Sequence, residues 1–332
     1  MNKIDLSKYE IRTDMICDLV ENKSEKEYKI NNVKVSHIML DDNNEIGKKK
    51  GTYVTLEFDD VTDSDSKQNV SEVFKDELLK VLEKEGYNEN LKTMVVGLGN
   101  INSTPDSLGP KVIEKIIVTN HLFNMNIKVD NKLSCVSAFY PGVTGSTGIE
   151  TSEYINGVIN VVKPDFVIVI DALASSSITR VNKSIQISTA GITPGSGVGN
   201  KRKEISKDTL GIPVVAVGIP TVVDATVIVS DTINYMFKNY AYHKNNDTKK
   251  ISKLMVKPIN YLKSDINSSV DDRKKLFGLV GLLNDDELKQ LLNEVLTPIG
   301  YNLMVTPKEV DFLIEKLSDV ISYGINHSLH KI

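Results

Sequence analysis

FVIVI, Phe166 to Ile170, is a run of five apolar residues that ends at Asp171. It shows no alternation of apolar and polar positions, so it suits a strand covered on both faces. MVVGL at Met94–Leu98 and VVAV at Val214–Val217 share its texture, each bounded by Gly, Pro or Asp. Between the three runs lie helical patterns over about Pro110–Val118, Ser152–Val162 and Ser230–Tyr240. Buried strands alternating with helices predict an α/β fold, a layered α/β/α sandwich around a mainly parallel sheet.

Outward from this core the patterns change. Val33–Leu40 and Thr52–Phe58 read as an N-terminal β-hairpin joined by the polar stretch Asp41–Lys50. Asp59–Asn69 reads as a loop, and Val70–Glu85 carries apolar residues at helical spacing. Lys244–Lys250 reads as a surface loop, followed by helical patterns over Asp271–Leu296 and Pro307–Leu329. In the last of these, Thr306 is the expected N-cap and Glu309 its capping-box partner. The outline is a core over about 90–243 and a C-terminal helical extension over about 251–332, in one domain.

Composition narrows the classes. Of 332 residues, 40% are hydrophobic and 25% charged, the usual balance of a globular chain. A net charge of −4 argues against a general nucleic-acid binder. Cys17 and Cys135 form no CxxC pair, which fits a reducing compartment. The first ten residues lack an apolar signal core, and Leu210–Val223 is short and broken by Pro213 and Pro220. The expectation is a cytoplasmic protein that engages neither membrane nor nucleic acid.

In an open α/β sheet, functional side chains gather at the carboxyl ends of strands. Asp171 follows FVIVI directly, and Asp106 lies in the loop after MVVGL, within GLGNINSTPDSLGP. If those strands are neighbours, both carboxyls overlook one crevice. Such a pair can share a proton and hydrolyse an amide, or can hold a metal that activates water. Each acid alone reads equally as a cap or turn residue. Gly97, Gly99 and Asn100 do not complete a dinucleotide fingerprint, because its third glycine falls at Asn102. They read as a tight turn that lets backbone approach a substrate. Gly195, Gly197, Gly199, Lys201 and Arg202 form a second glycine-rich loop, able to bind substrate or to cradle an anion. The five histidines are scattered, so no Ser-His or Cys-His centre is evident.

Long segments carry a resemblance. They are GLGNINSTPDSLGPKVIEKIIVTNHLF (97–123), YPGVTGSTGIETSEYINGVI (140–159), VVKPDFVIVIDALASSSITRVNKSIQIS (161–188), PGSGVGNKRKEISKDTLGIPVVAVGIPTVVDA (194–225) and VTPKEVDFLIEKL (305–317). In this order, across nearly the whole chain, they resemble the spore germination proteases, which are similar in fold to hydrogenase-maturation endopeptidases. The resemblance implies an endopeptidase that degrades small acid-soluble spore proteins during germination, a homotetramer in the spore core. It implies an atypical aspartic mechanism with no cofactor and no metal, and makes Asp106 and Asp171 the essential pair. DLSKYEIRTDMICD (5–18) resembles the family's propeptide and processing site. This implies a zymogen whose residues 1–14 are removed by self-cleavage at Asp14–Met15. Asp18 further on completes a likeness to the acidic cleavage motif of the substrates. Thr193 stands where the family usually has His, which removes a natural third metal ligand and predicts reduced or retuned activity. A metal-dependent maturation endopeptidase and a non-enzymatic anion- or nucleotide-binding module remain the alternatives.

Overall fold

The computed structural model describes residues 13–20, 25–42, 44, 46–125, 128–199, 202–246, 267–296 and 303–332. Its main strands are β1 (Lys26–Ile30), β2 (Val33–Leu40), β3 (Gly51–Glu57), β4 (Thr93–Gly97), β5 (Val136–Phe139), β6 (Phe166–Ser175), β7 (Ser184–Ser188) and β8 (Val214–Asp224), besides the two-residue strand Met304–Val305. They lie side by side in the order β1-β2-β3-β7-β8-β6-β4-β5. The half β8-β6-β4-β5 is parallel. The half β1-β2-β3-β7 is antiparallel throughout and joins β8 through an antiparallel β7. The predicted parallel sheet is therefore one half of a mixed sheet, and the predicted hairpin extends it.

The helices are α1 (Ser64–Lys84), α2 (Leu108–Ile113), α3 (Asn120–Asn124), α4 (Thr144–Thr147), α5 (Thr151–Val162), α6 (Lys207–Leu210), α7 (Ala225–Asn246), α8 (Val270–Phe277), α9 (Asp285–Leu296) and α10 (Val310–Leu329). Side chains alternate across the sheet, as the two-residue period of a strand requires. Ile168, Ile170, Val215, Ile185 and Ile187 face a large core with Phe74, Leu78, Val112 and Ile321 from α1, α2 and α10. Val167, Val169, Met94 and Val214 face a smaller core with Ile155 of α5. The sandwich has helices on both faces of its parallel half. Over the antiparallel half, Ile16 and Val20 of the N-terminal segment pack on Ile38, Leu40 and Tyr53 instead.

Two compact units divide the chain, one over 12–223 with 306–332 and the other over 224–305. Helix α10 belongs to the sheet-bearing unit. In the smaller unit, α7 packs against α8 and α9, with Phe237 and Phe277 in edge contact at 5.4 Å. No helix among the described residues is long and apolar enough to cross a membrane.

Several boundaries differ from the sequence reading for local reasons. Helix α1 begins within the expected loop because Asp63 caps it, accepting from the Asp65 and Ser66 N–H groups at 3.1 and 2.9 Å. The expected Thr306 capping box is not made. Thr306 Oγ1 donates to the Thr221 carbonyl at 2.8 Å, and α10 starts at Val310 with no side-chain cap. The pattern over 271–296 splits after α8 at Gly278, whose φ is +59°. Of the expected 244–250 loop, 244–246 extend α7 and the remainder lies outside the described residues.

Candidate active site

Strands β4 and β6 are neighbours with Gly97 opposite Ile170, and the Leu98 N–H continues the pairing to the Ile170 carbonyl at 2.7 Å. Asp171 is the next residue, on the face away from the large core, and only 6% exposed. Its one hydrogen bond among the described residues comes from the Ala172 N–H, at 2.9 Å. Asp106 ends a 3₁₀ turn, Thr104–Asp106, that packs against β6. The Asn100 N–H is shared between the Asp106 carbonyl at 3.0 Å and Oδ2 at 2.9 Å. Gly99, at φ +113°, makes this closure possible, since a Cβ there would overlap the Asp106 carbonyl. Gly97 lies against the backbone of Gly109, so GLGN serves close packing of the loop and α2 on the strand.

The electrostatics follow from this placement. Burial pushes the Asp171 carboxyl well above the usual carboxylate range, and the charges of Asp106 and then Asp14 push it further. Burial raises Asp106 to about 6, against the lowering effect of the Asn100 N–H. The charges of Asp106, half-buried in the turn after β4, and of Asp14, far away in sequence, thus both act on the buried Asp171 of β6.

Asp14 arrives because residues 13–20 are docked on the sheet. The Asp14 N–H donates to the Ala174 carbonyl and the Ala174 N–H donates to Asp14 Oδ2, both at 3.0 Å. Ser196 Oγ donates to Asp14 Oδ1 at 2.5 Å. Gly197 leaves room for this carboxylate, as a Cβ there would overlap Oδ2. Lys48 Nζ donates to the Thr13 carbonyl at 2.8 Å. Met15 is wholly buried. Gln186 of β7 brackets it, donating through Nε2 to the Asp14 carbonyl at 3.2 Å and accepting through Oε1 from the Ile16 N–H at 2.7 Å.

The segment is fastened further along by Asp18, whose side chain is wholly buried. Oδ1 accepts from Arg180 Nη1 at 2.6 Å. Oδ2 accepts from Thr13 Oγ1, Ser175 Oγ and the Ser176 N–H at 2.6–2.8 Å. Arg180 Nε in turn donates to Glu57 at 2.8 Å.

The predicted site residues therefore separate into groups. The charges of Asp106 and Asp14 both reach Asp171. Gly99 and Asn100 hold the turn that carries Asp106. Gly197 makes room for the Asp14 carboxylate, whereas Gly97 packs on α2 and Met15 is enclosed. Gly195 and Gly199 flank the short turn Ser196–Val198 with φ of +71° and +74°. Arg202 faces Glu150 at 4.0 Å, and Lys201 lies outside the described residues. Thr193 lines a cavity of about 340 Å³ with Asp14, Lys48, Gln186 and Ser196. Among the described residues, no three His, Cys, Asp or Glu side chains are arranged to hold a metal ion. Sequence reasoning passed over Gln186, Ser196 and Arg180. A signal existed in SIQIS, where Ser184, Gln186 and Ser188 put three polar side chains on one face of a buried strand.

Comparison with known proteins adds relatives over the whole length. A family model described as germination protease matches residues 6–332. The germination protease of Bacillus licheniformis is 47% identical, with 99% of this chain and 96% of that one aligned. The germination protease of Bacillus cereus (strain ATCC 10987 / NRS 248) is 45% identical, with 98% and 95% aligned. Among solved structures, a nickel–iron hydrogenase maturation protease of Thermococcus kodakarensis KOD1 aligns over 43% of this chain and 80% of its own. The sequence identity is 18% and the TM-score 0.27.

Proposed function

The chain belongs to the germination protease family, and from that premise we propose that Asp106 and Asp171 hydrolyse peptide bonds as a proton-sharing pair of carboxyls. An endopeptidase role in spore germination comes with the family. The finer reading is that the substrates are small acid-soluble spore proteins, met in the spore core. The enzyme is made as a zymogen that removes residues 1–14 by cutting Asp14–Met15, and works as a homotetramer.

The observation that carries the mechanism is the buried Asp171 with the half-buried Asp106 near enough for its charge to act on it. Above about pH 6 Asp106 is ionised and can take a proton from water, while Asp171 still holds its own. The water oxygen bonds to the carbonyl carbon, its proton passes to Asp106, and Asp171 protonates the carbonyl oxygen. Collapse breaks the C–N bond, the Asp106 proton goes to the departing nitrogen, and a diol proton returns to Asp171. The products are one new carboxyl and one new amine. The self-cleavage reading is supported by the docked Thr13–Asp18 segment, which brings the Asp14 side chain into the field of Asp171.

Incubation with a small acid-soluble spore protein, followed by mass spectrometry, tests the reading. The expected result is one cut beside an acid, lost in both Asp106→Asn and Asp171→Asn and retained in chelator. Loss in chelator would favour the metal-dependent alternative. Light scattering at four times the chain mass is the expected outcome for the tetramer.

A further inference from the structure

We infer that Gln186 reads the main chain of the segment being cut: its Nε2 donates to the carbonyl of the cut bond, and its Oε1 accepts from the N–H two residues beyond. This rests on the reading above that Asp14–Met15 is the bond hydrolysed.

A primary amide presents a donor and an acceptor side by side, as a peptide group does. Placed beside an extended chain, it pairs with main-chain groups whatever the side chains are. Gln186 is so placed, at 3.2 Å from the Asp14 carbonyl oxygen and 2.7 Å from the Ile16 nitrogen. It sits in a sheet row opposite Thr55 of β3 and Gly218 of β8, so its backbone partners are already supplied by strands. Its side chain is 6% exposed, and burying a primary amide is costly unless both ends are bonded. The docked main chain bonds both.

The row also relates Gln186 to the acids. Gly218 pairs with Gln186 on one side and with Asp171 on the other. Residues opposite one another in a sheet project from the same face. Asp171 and Gln186 therefore share a face, roughly 10 Å apart at the backbone, and the Leu173 side chain fills the space over Gly218 between them. Gln186 holds the main chain of the docked segment, and the Asp14 side chain of that segment acts on Asp171 by its charge.

The two halves of the amide have different consequences. As water adds, negative charge grows on the carbonyl oxygen, and the Nε2–H bond strengthens with it. Loss of one such donor slows hydrolysis by about 10²–10³-fold. The Oε1 bond to the downstream N–H is the same before and during reaction, so its loss weakens binding alone.

The test uses the full chain and a synthetic peptide spanning residues 9–22. In wild type, replacing the amide that supplies the Ile16 N–H with an ester should raise KM several-fold and leave kcat unchanged. Gln186→Met should slow self-cleavage about 100-fold, lower kcat on the peptide, and abolish the ester penalty. Wild-type rates in Gln186→Met, or an ester penalty that persists in it, would overturn the inference. If the variant fails to fold, equal KM for the amide and ester peptides in wild type overturns it. Failure of wild type to cut either the chain or the all-amide peptide at this bond would instead remove the self-cleavage reading.

Discussion

Asp18 and Asp171 are both buried carboxyls on the same unit, yet their surroundings are opposite. Asp18 has an arginine and three further donors. Asp171 has one backbone donor and two other acids for neighbours. A buried carboxylate matched by a guanidinium fastens one piece of chain to another. A buried carboxyl denied such partners keeps its proton above the usual range and is left chemically poised. Burial alone does not mark a catalytic acid. The donors around it do.

Asp171→Asn attacks the poised side of this contrast and carries the largest expected effect. Proteolysis should fall by about 10⁴-fold or more, as when one member of a cooperating catalytic set is removed. The melting temperature should rise by a few degrees at neutral pH, because a crowded, desolvated acid has gone. A melting temperature that falls would mean Asp171 is a structural anchor like Asp18.

Arg180→Ala attacks the satisfied side. It strips the guanidinium from a wholly buried carboxylate and should cost about 3 kcal/mol in denaturant unfolding. Adding Asp18→Asn should recover part of that loss, since the uncompensated charge is then absent.

The pH dependence of stability separates the two environments again. At low pH folded and unfolded chains both protonate Asp106 and Asp171. From about pH 4 the unfolded chain releases those protons while the folded chain retains them, up to about 6 for Asp106 and higher for Asp171. Across that window the site lowers stability by about 1.4 kcal/mol per pH unit for each acid still protonated in the fold. The double variant Asp106→Asn with Asp171→Asn should flatten this slope in thermal melts at pH 4–7. A slope identical to wild type would deny the raised values. Thr193→His is the smallest step, expected to raise turnover a few-fold through the cavity that Thr193 shares with Asp14 and Gln186. Unchanged turnover would leave Thr193 without a role in tuning.

The parallel half of the sheet was legible because FVIVI, MVVGL and VVAV are buried on both faces and carry an unbroken apolar signal. Asp171 was legible as the acid after FVIVI, although β6 runs on to Ser175 and leaves it within the strand, and Asp106 was legible as an acid of the loop after β4. The antiparallel half was less so. Its second face is covered by a short segment from the N-terminus with a single 3₁₀ turn, Ile16–Asp18, and neither β1 nor that docking leaves a periodic trace. Gln186 and Arg180 were hidden for the same reason. A polar residue inside a strand declares a function only when the group it bonds is known, and here those groups lie about 170 residues earlier in the chain. Thr306 shows the converse, a local cap motif overridden because its hydroxyl has a tertiary partner.

The Asp18 anchorage lies downstream of Asp14–Met15, so a cut at that bond would free the two new ends unequally. Among the described residues, the upstream stub would keep the grip on Thr13 and Asp14, whereas the stump beginning at Met15 would remain tethered by the Arg180 clasp. Hydrolysis and vacating the berth would then be separate events, and the lifetime of the clasp would time the first arrival of a foreign chain.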